Sequence, residues 1–475
     1  MTGVLLVILF LAWILPVQGA LVTMTINVRE KDFGADWLSR PAGIASCWLV
    51  AIYVLTLAAG IGLLNGELLS TFCGGFIAMG IAIPWILFAK LIPVWRQTTW
   101  YRPKWYEWLV LAFLIEKALF AIWQFNNIPV YFEDPLFHWV TRGRELYAGV
   151  NWSWDPTSDV FLGPTDWNRH YPLCLPILRA ILAEYNGEFN DTLARLDGLI
   201  FFALIATILW STAYRMTNSR PLAALAVFAW QTQPLLPWQI AGGNADLALS
   251  AFLIGAVAAM LERRFFLTGL LVAGAAWSKN DGLVLVNLSI IVGIIAVLFD
   301  QHVLTQNATL KRIRTIYIPS LLRYLAGFLT LLPWLAFRQY HQLGLSPNKE
   351  EVGLHFDAIA SMATDMFLNP TAGLFWLATL GVTSPVIWLL FKDSSGRSLW
   401  TVTATYLFLI IAIFTFTDAH RWLQNDITLH RLLLQLSPVA AVLLAASLSQ
   451  ASGGCQPPVL TTRNMNNGHE SFEQT

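Results

Sequence analysis

Charge is what this sequence has least of. Only 12% of its 475 residues are Asp, Glu, Lys or Arg, roughly half the share of about 25% that an ordinary soluble domain carries. The 29 basic and 29 acidic residues also cancel, so overall charge gives a nucleic-acid partner no support. Cysteine is nearly as scarce. Of four, Cys47 and Cys73 lie in apolar runs, where a thiol behaves as a small hydrophobe. Cys174 and Cys455 fall on opposite sides of the topology derived below, which leaves no disulfide framework and no metal-ligand spacing. No GxGxxG, P-loop or HExxH pattern occurs, so nucleotide-binding and zinc-protease readings have no foothold. No repeat of fixed period is visible. The opening MTGVLLVILFLAWILPVQGA lacks a basic n-region, and we read it as a retained first span rather than a secretory signal.

What fills the sequence instead is apolar surface, with 56% hydrophobic residues. A bilayer core needs about 20 mostly apolar residues per helix. Stretches of that kind occur near 3–22, 42–64, 71–93, 107–125, 196–214, 221–237, 245–261, 265–278, 282–299, 317–339, 372–391, 399–417 and 431–449. The pattern predicts an all-α polytopic membrane protein with about thirteen transmembrane helices. With the N-terminus outside, six short inner loops hold 15 Lys and Arg residues, whereas the short outer loops hold only Lys279, Lys349 and Arg421. That asymmetry fits the positive-inside bias at every crossing. The tail 451–475 is polar and rich in Gly, Pro and Asn, which predicts a disordered cytosolic end.

In this topology the reactive side chains gather on the outer face. They include Glu133, Asp134, Arg169, His170, Asp246, Lys279, Asp281, His420, Arg421, His430 and Arg431. The outer loop 126–194, about 70 residues long, exceeds what a plain connector needs. Asp134 has the chemistry of an N-cap and Pro135 that of a first helical residue. Leu136, Val140, Gly143 and Tyr147 follow at helical spacing, and Ala148 and Gly149 end the pattern. A second unit opens at Pro172 and stops at Asn186 and Gly187. Both are expected to be amphipathic helices along the interface. A carboxylate at a helix N-terminus is kept ionised by the dipole and nearby N–H groups, which suits a general base as well as a cap. Capping is equally the plain reading of Asp246, interface anchoring that of His420, Arg421, His430 and Arg431, and snorkelling that of Lys279. Glu116 and Lys117 lie mid-span, where charge is costly. Neighbours on a helix point about 100° apart, so these two are not expected to face each other. Asn151 and Asn190 head glycosylation sequons on the outer side.

Five stretches in order, all at the outer face, resemble the GT-C membrane glycosyltransferases, of the protein-mannosyltransferase-like and bacterial family 39-like kind. They are the acidic pair Glu133–Asp134, NRHYPLCLP at 168–176, AGGNADLALSAF with Asp246, WSKNDGLVLV with Lys279 and Asp281, and PWLAFRQYHQLGLSPN. Leu173 replaces the family's second proline and Asp281 its glutamate. The resemblance covers roughly 105–445. It implies N-terminal helices over 1–104, a catalytic membrane module over 105–450, and an active site on the outer face of the membrane, here the bacterial inner membrane. It implies transfer, with inversion, of a sugar from a polyprenyl-phosphate donor to a hydroxyl of a lipid, glycan or protein. Asp134 would be the general base with Glu133 as alternative or partner. Lys279, His170, Arg421 and Arg431 would bind the donor phosphate, and Arg169, Tyr171 and Asp246 the substrates. A divalent metal beside the two carboxylates stays open, since some relatives bind one and others do not. Two rivals stay open as well: an oligosaccharide polymerase or ligase, favoured by the His-Arg loop near Trp422, and a lipid or solute transporter, whose site is more often at mid-membrane.

Overall fold

The computed structural model describes residues 6–7, 40–64, 69–71, 73–74, 102–130, 134–299, 316–345, 352–369, 373–425 and 427–453. The expected spans near 3–22 and 71–93, the tail beyond Gly453 and the acid Glu133 lie wholly or mostly outside them. Among the described residues the regular structure is helical, and the only β-type pairings are two isolated bridges, Ser153 with Phe161 and Val352 with Thr417.

Seven helical stretches among the described residues are long and apolar enough to cross a bilayer, and an eighth forms if a sharply bent pair counts as one span. The chain is therefore a multi-pass, all-α membrane protein. Thirteen spans are not found among the described residues: two of the expected stretches lie mostly outside them, and the rest of the shortfall has local causes. The stretch expected at 221–237 stops at Gln231, where Pro234 and Pro237 interrupt the run by removing N–H donors and disfavouring helix at the preceding residues. Phe265–Ser278 and Gly282–Leu298 are helical and apolar but too short to cross unaided.

Helix α1 (Pro41–Leu64) packs on later helices, and α2 (Trp105–Asn127) turns Trp108, Ile115, Leu119 and Trp123 outward. Glu116 and Lys117 on α2 depart from expectation. Their long side chains curl together into an exposed ion pair at 3.3 Å despite the angle between their Cα–Cβ bonds. After α2 come a π-helical turn, Pro135–Val140, and α3 (Thr141–Ala148), which ends on Gly149 in the left-handed region. Helix α4 (Cys174–Asn186) ends on left-handed Gly187. These are the two expected loop helices, with one correction: α4 is buried on nearly every side, against α1 and α3, rather than lying with a polar face in the interface. Cys174 is buried there as a free thiol.

Helix α5 (Leu196–Thr217) is followed by α6 (Arg220–Gln231), the short α7 (Leu236–Gly242) and α8 (Asp246–Leu261). The chain bends by 111° between α7 and α8. Gly243 makes that break, with φ +78, a conformation costly for any residue carrying a Cβ. Helix α9 (Phe265–Ser278), α10 (Asn287–Leu298), α11 (Ile318–Phe328), α12 (Leu332–Tyr340), α13 (Asp357–Leu368), α14 (Gly373–Lys392), α15 (Ser394–Phe416) and α16 (Thr428–Ala451) complete the bundle. Helix α16 is its axis. It is buried along nearly its whole length and touches α5, α6, α8, α14 and α15. Every residue of α8 is buried, and Ser250 donates to the Leu434 and Gln435 carbonyls of α16, so the two helices are pinned at a fixed register.

At the end of α8 away from Asp246, Glu262 meets Arg40 and Arg215. Nearby on the sequence-derived inner side, Glu107 meets Arg220 at 2.6 Å. Basic residues that the topology alone accounted for are thus also tied to acids.

Candidate functional site

Three helix ends and one loop meet where the polar residues collect. The break at Gly243 puts Asp246 in the first turn of α8, pointing into the bundle and fully buried. It does not cap its helix. Oδ1 accepts from Lys279 Nζ at 2.8 Å and Gln435 Nε2 at 2.6 Å, and Oδ2 accepts from Arg431 Nε at 2.8 Å. An unpaired carboxylate so buried would be very costly, and two cations and an amide are what make the position tenable.

Lys279 sits in the tight turn between α9 and the π-helical stretch Gly282–Val286. That turn requires a glycine, because a Cβ on Gly282 would come within 2.3 Å of the Ala275 backbone. Asp281, one residue before it, faces back and holds Lys279 Nζ at 2.7 Å. Burial works against the Lys279 ammonium, but Asp246 and Asp281 hold its pKa above the usual lysine value. Arg431 and Gln435, four residues apart on α16, share one face and enter the site together. Tyr406 of α15 donates to Gln435 Oε1 at 2.7 Å and fixes the amide so that its nitrogen faces the acids.

Asp134 arrives from the loop. It was expected to cap the helix that follows, and it does not: its backbone is already helical, its side chain makes no capping bond, and its Oδ2 reaches Arg431 Nη2 at 2.5 Å. Burial opposes ionisation of Asp134, but Arg431 and then Lys279 outweigh it, so its pKa lies below the usual carboxylate value. Tyr171 stacks on His138 at 4.4 Å beside the same cluster. Burial, with Asp134 and Asp281 alongside, pushes its phenol up to about 12, so it remains a donor at neutral pH. Asn168, oriented with its amide nitrogen toward His138 Nδ1 at 3.1 Å, ties the NRHYP segment to the EDPLFHW segment.

The result is an alternating row, Asp134–Arg431–Asp246–Lys279–Asp281, with three carboxylates against two cations. Side-chain exposure separates its members. Asp246 has none, Lys279 and Arg431 have 12% and 18%, and Asp134 and Asp281 have 33% and 30%. The two outer carboxylates are the groups an incoming molecule reaches first.

No family model, curated protein or solved structure matches this chain. The site is therefore read from its own chemistry.

Of the residues singled out from sequence, Asp134, Asp246, Lys279 and Arg431 are joined directly, with Tyr171 beside them. His170 stands one layer back. Its carbonyl accepts from Asn280 Nδ2 at 2.9 Å and its Nδ1 meets the Gly344 carbonyl at 3.3 Å. Burial lowers its pKa, which favours the uncharged ring at neutral pH. Arg169 pairs with Asp166, and Arg421 lies over the Trp422 ring; among the described residues neither touches the cluster. Sequence reasoning missed Gln435, Tyr406 and the second layer of Asn280 with Arg338, and left Asp281 out of the site. A signal for Gln435 was present: a lone amide in the apolar run LLLQLSPV, one turn after Arg431.

Proposed function

We propose that the chain is a membrane glycosyltransferase of the GT-C type, with a module over 105–450 that transfers a sugar from a polyprenyl-phosphate donor to a hydroxyl acceptor. The observation that carries the reading is the partly exposed Asp134, brought from a long loop and held ionised by Arg431 at the mouth of a buried ion-pair row. An ionised, reachable carboxylate is what a general base for a hydroxyl must be. Lys279 and Arg431 are partly exposed cations beside it, and a phosphate leaving group needs positive charge more than a proton.

The two roles are coupled through Arg431. A donor phosphate approaching Arg431 competes with Asp134 for the guanidinium. Asp134 then turns to the acceptor hydroxyl and takes its proton as that oxygen attacks the anomeric carbon from the face opposite the phosphate, which departs with the bond electrons. The anomeric configuration inverts. Asp246 cannot be the base, because it is enclosed and holds three donors. On this reading the site faces the outside of a bacterial inner membrane, and the acceptor is a lipid, glycan or protein.

The test is transfer in proteoliposomes from a polyprenyl-phosphate sugar. Asp134→Asn should lower the rate by at least about 100-fold while the protein remains folded. Unchanged transfer by the variant would remove Asp134 as the base, and no transfer by the wild type from any such donor would remove the reading.

A further inference from the structure

A second polar cluster lies at the same end of the bundle, beyond the site just described. It joins two segments far apart in sequence. Residues 352–355 run antiparallel to the end of α15: Val352 bridges Thr417, Gly353 N–H donates to the Phe416 carbonyl at 3.1 Å, and His355 N–H donates to the Thr415 carbonyl at 2.8 Å. This pairing fixes His355 beside Asp418 and His420, which open the 3-10 stretch Asp418–Asn425. One ligand atom from each of the three residues can be chosen so that all lie within 4.8 Å of one another.

The cluster is not satisfied by its own contacts. The His355 and His420 rings stack at 3.6 Å between centroids, yet His355 Nε2 and His420 Nδ1 are buried and make no hydrogen bond among the described residues. Buried polar atoms without hydrogen bonds are uncommon and call for an explanation. Asp418 Oδ1 stands 3.6 Å from His355 Nε2, beyond the 2.7–3.2 Å of an ordinary N–H···O bond. Two ligands on a tetrahedral zinc ion, with bonds of about 2.0–2.2 Å, stand roughly 3.4 Å apart. The His355–Asp418 gap is close to that ligand spacing, and the two stacked rings must swing apart on binding for both nitrogens to face one ion. Gly353 also keeps space at that nitrogen, since a Cβ there would come within 2.7 Å of His355 Nε2.

We propose that His355, Asp418 and His420 form a binding site for a divalent transition-metal ion of the zinc class. Two imidazoles and one carboxylate are a borderline donor set, which suits zinc over the hard cations calcium and magnesium. Three protein ligands leave a fourth position for water or another ligand, the pattern of open zinc sites. His420 also lines a cleft of about 440 Å³ with Asp357, Ser361, Thr364, Asp365 and Leu423, which gives that position an approach from outside. The site owes nothing to the sugar-transfer reading, because none of its residues belongs to the Asp134 row.

The full-length protein in detergent, stripped by chelator and re-equilibrated with Zn2+, should retain one ion per chain by elemental analysis. His355→Ala, His420→Ala and Asp418→Asn should each weaken retention by on the order of tenfold or more. Full retention by all three variants, or none by the wild type, would overturn the proposal. Should a variant fail to fold, Co2+ loading of the wild type decides: intense visible ligand-field bands of a low-symmetry site support the assignment, and the pale spectrum of hydrated Co2+ refutes it.

Discussion

Asp134 and Asp246 share one guanidinium and differ in everything else. Asp246 is sealed from solvent and answers three donors, so deleting it takes one carboxylate from Lys279, one from Arg431 and the nearer acceptor from the Gln435 amide, all in a buried setting. Breaking a buried pair from one side costs about 3–5 kcal/mol. Asp134 is one-third exposed and pairs with Arg431 alone among the described residues, a setting in which an ion pair is worth about 0–1 kcal/mol. Asp246→Ala should therefore lower the unfolding free energy in detergent by several kcal/mol more than Asp134→Ala, measured by chemical denaturation. Equal losses would show that the two carboxylates do not divide into a structural and a reactive one. The pH dependence of the weaker pair has a definite sign. The folded pKa of Asp134 is depressed, so its contribution is complete above the unfolded value of about 3.9 and is lost as pH falls through the folded one.

At the level of elements, the site depends on two interruptions in otherwise apolar helices. One is the left-handed Gly243 that turns α7 away and frees the head of α8; the other is the turn at Gly282 that aims Lys279 and Asp281 the same way. Gly282→Ala would drive a methyl group into the Ala275 backbone, and crowding of this kind costs about 1–3 kcal/mol. Gly381 on α14 is a control from the same protein: a Cβ there meets nothing within 4 Å, and alanine favours helix over glycine by about 0.8–1.0 kcal/mol. Thermal melts should fall for Gly282→Ala and hold or rise for Gly381→Ala; a fall in both would show that crowding at the turn is not the cause.

These interruptions are also why part of the site was legible in the sequence. Asp246, Lys279 and Arg431 stand at the edges of apolar runs, where any charge is conspicuous, and Asp134 stood out beside Pro135 in a loop too long for a connector. Their partners were far less legible, and the one signal, the lone amide of Gln435, did not say what it meets. Gln435 and Tyr406 lie inside spans where a single polar atom reads as tolerated, and only the crossing of α15 on α16 makes them neighbours. The capping role assigned to Asp134 failed for a related reason: local grammar sees the helix that follows it but not an arginine almost 300 residues later. The short helices misled in the opposite direction. Apolar composition counted them as spans, but their length, cut by prolines and glycines, does not.

Across the whole molecule, polarity is split between two ends. The Asp134 row and the His355 cluster lie at one, and Glu262 with Arg40 and Arg215 at the other end of α8. A single cysteine introduced at exposed Asp155, in the loop that carries Tyr171, should therefore react with an impermeant maleimide from the face opposite to one introduced at exposed Arg263. Labelling of both from the same side would break the bundle arrangement. With Cys455 replaced by serine, background from Cys47, Cys73 and Cys174 should be low, because all three are buried.

The position of α16 in the bundle sets an order of assembly. The helix at the axis is also the one translated after all the helices it touches. Until it is made, those helices surround an unfilled slot, and Asp246, Lys279 and Asp281 lack the arginine and glutamine that complete their row. Seating α16 therefore does two things together: it fills the slot among those helices and brings Arg431 and Gln435 to the row.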